Sequence, residues 1–214
     1  MKRILPWTVA ASVVCPALAG SVTVIPSAAH AAPSVPAPPW VIADGGPQGT
    51  TIAGLRIAPA RPGVRAPRLR AAMARWGAPA SQRRLGGRDA CVSRWTRPRV
   101  AVVSANFGRL PAGVDACAGA IGFVQRIETI GAAWRTREGL AIGASRAELT
   151  ARYPKARSAA EGDPGVLLLR PDLHPCRPCT SPARLHASLR GAVIAMLPAG
   201  RVRQLVVQVG AADQ

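Results

Sequence analysis

Thirteen residues, HPCRPCTSPARLH at positions 174–186, hold the densest set of reactive groups in the chain. His174, Cys176, Cys179 and His186 supply two imidazoles and two thiols, a donor set that suits tetrahedral zinc. Cys176-Arg177-Pro178-Cys179 also has the spacing of a thiol–disulfide exchange motif, where a neighbouring arginine favours the thiolate. A third reading is a structural disulfide that pins a proline-rich loop. Exchange enzymes place the first cysteine at a helix start after a buried strand. Here proline flanks both cysteines, so a structural disulfide is the expectation, with redox and metal chemistry as its rivals.

Elsewhere, groups suited to catalysis are sparse. The chain has three histidines, and His174 and His186 are the two that follow the N-terminal apolar segment. There is no Gly-x-Ser-x-Gly elbow, no phosphate-cradling loop and no His-Glu-x-x-His. Ser145 and Glu148 have the spacing of a helix capping box. Glu138 beside Arg137 reads as a solvated surface pair, and Glu161 and Asp163 sit in a Gly/Pro turn. No catalytic residue and no cofactor is assigned. Trp134, with Arg135 and Arg137 after it, offers one binding hypothesis: an anionic group held by charge and cation–π contact. Against it stands the plainer role of a tryptophan filling the seam between packed units.

The N-terminus reads as an export signal. Lys2 and Arg3 precede an apolar run broken by Pro6, Pro16 and Pro26, and Ala29 and Ala31 give a small-x-small cleavage site. Residues 1–31 are the expected signal peptide, which predicts a secreted or envelope location and no transmembrane segment in the mature chain. Four cysteines remain after it: Cys91, Cys117, Cys176 and Cys179. An even count in an exported protein reads as disulfides. Four cysteines allow three pairings, and proximity along the chain favours Cys91–Cys117 and Cys176–Cys179.

The formal charge is +18, and loss of Lys2 and Arg3 leaves +16, nearly all of it arginine. GC-rich coding inflates arginine at the expense of lysine, but the field is physical whatever its origin. It favours anionic partners such as phosphate-bearing wall polymers or lipid headgroups. Nucleic acid is not expected. Acids lie among the arginines, aromatics are 4% of residues, and no zinc-finger, recognition-helix or RNA-binding-sheet motif is present.

The elements that would position these groups come in two similar runs. Residues 32–50 are rich in Pro, Gly and Ala and read as a flexible leader. Gly54-Leu55-Arg56-Ile57 then leads to a helix in which Leu69, Met73 and Trp76 share a face, stopped by Gly77 and Pro79. ACVSRW (90–95), VAVVSANF (100–107) and FVQRIET (123–129) follow as strands, with a Pro98 turn between the first two. Gly139-Leu140-Ala141-Ile142 opens the second run. Its helix is capped by Ser145, has Leu149 and Tyr153 on one face and ends at Pro154; VLLLR (166–170), LHASL (185–189), VIAML (193–197) and VRQLVVQV (202–209) read as strands. The first run needs an eight-residue insertion, which APARPGVR supplies; chance likeness in an Ala/Arg-rich chain is the alternative to a repeat.

Gly139 to Pro154, and more loosely Gly54 to Pro79, resemble the small helix-and-sheet repeat of two exported groups. One is the small lipoproteins that assist outer-membrane β-barrel assembly; the other is the secreted β-lactamase-inhibitor proteins, which carry the unit in tandem. The chain is also similar to uncharacterised small secreted proteins of GC-rich Gram-positive bacteria. The resemblance implies protein binding through a sheet face and its hairpin loops, without catalysis, and a disulfide in each repeat. β-Lactamase inhibition is not carried over, because the hairpin Trp95-Thr96-Arg97-Pro98-Arg99 is basic where such inhibitors are acidic. Nor is a lipid anchor, since Val13-Val14-Cys15 lacks the small residue before a lipidated cysteine.

The expectation is therefore an α+β fold of two tandem units, 51–130 and 131–214, each a short helix on an antiparallel meander. Its expected function is non-catalytic binding of a protein or an anionic cell-envelope polymer by a sheet face. The rivals are a thiol–disulfide or metal-binding protein built on HPCRPC, and a structural envelope protein retained by its charge. Composition fixes neither the partner nor the oligomeric state.

Overall fold

A computed structural model describes residues 37–58, 66–85, 90–106, 117, 122–159, 163–173 and 190–209. The expected signal peptide, the strand LHASL and the HPCRPC segment lie outside them.

The chain is mostly β. Among the described residues it forms twelve strands in two sheets and two helices, of eight and seven residues. The expected α+β pair of tandem units is thereby corrected. Two features account for the difference, and the first lies in the segment read as leader. Strand β1 (Trp40–Ala43) buries Trp40 and Ile42 and turns Val41 outward, the period-2 pattern of a half-buried strand. It pairs antiparallel with β2 (Thr50–Ile52), which turns through Ala53-Gly54 into β3 (Leu55–Ile57). Both turn residues have positive φ, 45° and 78°, as a two-residue hairpin of this hand requires. An added Cβ at Gly54 would also meet the Arg75 guanidinium, the movable end of a long side chain.

The second feature is long-range pairing. Strands β4 (Ser81–Leu85), β5 (Ala90–Trp95), β6 (Val100–Ala105) and β7 (Phe123–Thr129) form one antiparallel meander. Strands β9 (Arg157–Ser158), β10 (Val166–Leu168), β11 (Val193–Met196) and β12 (Gln204–Gln208) form another. β7 and β12 pair antiparallel, with Ile127 opposite Val207, so the meanders fuse into one eight-stranded sheet. A free edge on each meander would leave a row of backbone groups unpaired; pairing the two edges removes both rows. Between the meanders, β8 (Trp134–Thr136) leaves the large sheet and lies parallel to β1, completing a four-stranded sheet β3-β2-β1-β8.

Helix α1 (Leu69–Trp76) buries Leu69, Ala72 and Trp76, while Met73 is only partly covered. It stops at Gly77, φ 79°, whose N–H donates to the Met73 carbonyl. Helix α2 (Arg146–Arg152) carries the capping box: Ser145 Oγ accepts from the Glu148 N–H, and the Glu148 carboxylate accepts from the Ser145 N–H. Leu149 and Tyr153 point into the core. One cluster of buried side chains joins both helices and both sheets, from Ile42 and Trp76 to Val102, Leu149 and Leu205. At its centre Trp76 meets Trp95 edge-on and Trp40 packs against Trp134, each pair 5.5 Å between centroids.

Candidate functional site

Of the residues singled out from the sequence, His174, Cys176, Cys179, His186, Glu161 and those of the expected signal peptide lie outside the described residues. Cys91 and Cys117 are bonded to each other, with Cα atoms 5.2 Å apart. Cys91 is fully buried on the core-facing side of β5. Beside it Gln82 Nε2 donates to Ser93 Oγ at 2.9 Å and to the Cys117 carbonyl at 3.3 Å. The pair is a structural tie between the β4–β5 edge and the chain leading to β7.

Trp134 has no exposed surface; its indole N–H donates to the Arg99 carbonyl at 2.8 Å. Strand alternation sends Arg135 to the opposite face of the small sheet, level with Val41. The trio Trp134, Arg135 and Arg137 therefore offers an incoming anion two exposed guanidiniums but no ring. The tryptophan fills the core between the sheets. Glu138 is not a solvated partner of Arg137 either. Its carboxylate accepts from the Tyr153 hydroxyl and lies 3.4 Å from Arg170, which also reaches Asp172 at 3.6 Å. Burial, followed by donation to Glu138, pushes the Tyr153 phenol well above its ordinary range. The Glu148 carboxyl is lowered, first by the Ser145 backbone N–H and then by its hydroxyl. These groups brace the β8–α2 connection. Among the described residues, no three His, Cys, Asp or Glu side chains converge where they could hold a metal ion.

The charge is not spread evenly. Residues 45–127 contain fourteen arginines and two acids, Asp89 and Asp115, whereas residues 128–214 contain twelve basic residues and seven acids. Three of the first set reach the face of the large sheet that turns away from Val102 and Ile127. Register places Arg83 of β4 opposite Val92 of β5, Val92 opposite Val103 of β6, and Val103 opposite Arg126 of β7. One step along, Arg94 lies opposite Ala101, and Ala101 opposite Glu128. Directly paired residues share a face. Arg83, Arg94 and Arg126 thus surround a low floor of Val92, Val103 and Ala101, and all three arginines are exposed. Arg126 Nε lies 2.7 Å from Glu128, whose other oxygen takes the Gln204 amide. Arg83 and Arg94 have no acidic partner among the described residues. Their forked donors match the oxygens of phosphate or carboxylate. The one ring that register places on this face is Phe123, opposite Ala105, and the Arg68 guanidinium already lies 4.9 Å over it.

Sequence reasoning missed this arrangement. β4, SQRRL, has no apolar alternation to mark a strand, and the alignment of Arg83, Arg94 and Arg126 exists only once the register is set. The arginine-rich, acid-poor stretch before Glu128 was the available signal.

Compared with family models, curated proteins and solved structures, the chain matches none.

Proposed function

We propose that this chain is an exported, non-catalytic binding protein that takes an anionic partner on the outer face of β4–β7. The observation that carries this reading is the cross-strand row of Arg83, Arg94 and Arg126 around Val92 and Val103, within a region of fourteen arginines and two acids. Binding by a sheet face is also what the resemblance to the secreted inhibitor and assembly-lipoprotein repeats implies. Export is supported by the Lys2-Arg3 start, the Ala29-x-Ala31 site and the Cys91–Cys117 bond, since disulfides persist in oxidising compartments. Phosphate-bearing envelope polymers fit the charge.

The test is a titration of the mature protein with polyphosphate and with neutral dextran at two ionic strengths. The reading expects binding to polyphosphate alone, weakening steeply from low to physiological salt as exposed charges are screened. Equal retention on both polymers, or affinity indifferent to salt, contradicts it.

A further inference from the structure

The arginine face extends past the end of β6. Beyond the Val100–Thr129 pair the Ile130 N–H donates to the Arg99 carbonyl at 2.8 Å, so the β6–β7 ladder continues one step. Arg99 therefore lies two positions from Ala101 and on the same side of the sheet. Its guanidinium reaches toward the turn after β7, with Cζ 3.0 Å from where a Gly131 Cβ would stand. Register then sets out a diagonal. Arg83 faces Val92, and Arg94 is two residues farther along β5. Arg94 faces Ala101, and Arg99 is two residues farther toward the same β5–β6 turn. Each step crosses one strand and moves two residues, about 7–8 Å between diagonal neighbours. Arg97 stands in the turn at the end of this line, and all four arginines are exposed. β5 and β6 are flanked by strands on both sides, so Arg94 and Arg99 are not charges that guard a sheet edge.

We propose that a linear chain of phosphates lies obliquely across the sheet along Arg83, Arg94 and Arg99 and ends over Arg97, so that the two turn arginines are binding residues. The inference rests on the proposed function for the anionic face and adds to it the shape of the ligand and the residues of the turn. Arg94, Arg97 and Arg99 have no acidic partner among the described residues, whereas Arg126 is held by Glu128 and stands to one side of the line. Each guanidinium presents a fork that fits the oxygens of one phosphate. A lone phosphate or carboxylate engages one such fork or two; a chain repeats its charge at every step of the diagonal. The turn is also fixed in advance. The Trp134 indole N–H donates to the Arg99 carbonyl at 2.8 Å, the Trp95 indole N–H donates to the Gly77 carbonyl at 2.9 Å, and Pro98 is buried. Little backbone ordering therefore opposes binding there.

The test titrates the mature protein at low salt with long-chain polyphosphate and with tripolyphosphate. Two double variants lose equal charge: Arg97→Ser/Arg99→Ser at the turn, and Arg135→Ser/Arg137→Ser on the small sheet. Serine keeps the Arg99 carbonyl and both bonds it accepts, and thermal melting checks the fold. With two exposed ion pairs lost, the turn variant should bind the long chain about fivefold more weakly. It should hold tripolyphosphate within about twofold of the wild type, because Arg83 and Arg94 remain for the shorter ligand. The small-sheet variant should stay within about twofold for both ligands. Equal losses of the long chain from the two variants overturn the diagonal, and so does a tripolyphosphate loss as large as the long-chain loss; wild-type binding of the long chain would then keep the face without the turn. If the wild type binds neither phosphate, the face and the diagonal fail together.

Discussion

Trp134 and Arg135 are neighbours with opposite fates. The first is sealed between the sheets, and the second is in water. Trp134→Ala should cost about 3–5 kcal/mol, as large aromatic deletions in cores do. Arg135→Ala should change stability by less than about 0.5 kcal/mol. Denaturant titration of both variants checks this, and a mild Trp134→Ala would remove the tryptophan from the core. Ser145→Ala removes the acceptor for the Glu148 N–H and should cost about 1 kcal/mol. Tyr153 gives a pH test without interference, because it is the only tyrosine in the chain. Its phenol is raised in the fold above the ordinary 10.0 by burial and by its bond to Glu138. The neutral form is the one the fold favours. Its stabilising contribution is complete below the unfolded value and falls away as pH climbs above it. Tyrosinate absorbance should therefore appear only together with unfolding, and Tyr153→Phe should flatten the alkaline fall in stability. Tyrosinate forming in the folded protein would contradict the Tyr153–Glu138 contact.

At the scale of elements, legibility followed local signal. β5, β6 and β7 were readable because alternation and β-branched residues span at least six positions in each. The α2 capping box was readable because its donors and acceptors lie within four residues. β1 was hidden in a Pro/Gly-rich context whose composition outweighed the short WVIA alternation. β8 spans three residues, too few to show a period. β4 carries only polar residues outside Leu85, since neither of its faces is covered as the central strands are. The β7–β12 join lies between residues about eighty positions apart, and pairing at that range leaves no local mark. The arginine face depends on three successive registers between neighbouring strands, which composition does not set, so its composition was visible and its geometry was not. The β4–β5 edge also supplies a stability test. In the chain-entropy model a disulfide closing a separation of 26 residues stabilises by roughly 3–4 kcal/mol. Cys91→Ala/Cys117→Ala should lose about that much, with hydrogen exchange quickening first in β4. A loss confined to β9–β12 would place the tie elsewhere.

The molecule as a whole combines one main core with lopsided charge. Since residues of both helices and both sheets share one buried cluster, denaturant unfolding followed by tryptophan fluorescence and by far-ultraviolet dichroism should give one coincident transition. Two separated transitions would restore a division into independent units. The charge has a structural location as well as a total: the acid-poor half carries α1 and β4 through β6, together with most of β7, and gathers Arg83, Arg94 and Arg126 on one face. The most direct test compares polyphosphate binding by the wild type with two triple variants at one ionic strength. Arg83→Ser/Arg94→Ser/Arg126→Ser empties the face; Arg135→Ser/Arg137→Ser/Arg203→Ser removes the same charge from elsewhere. At about 0.5 kcal/mol for each exposed ion pair lost, the first should weaken binding roughly tenfold while the second stays within about threefold. Equal losses from both would mean that net charge alone attracts the partner and that the outer face of β4–β7 is not a site.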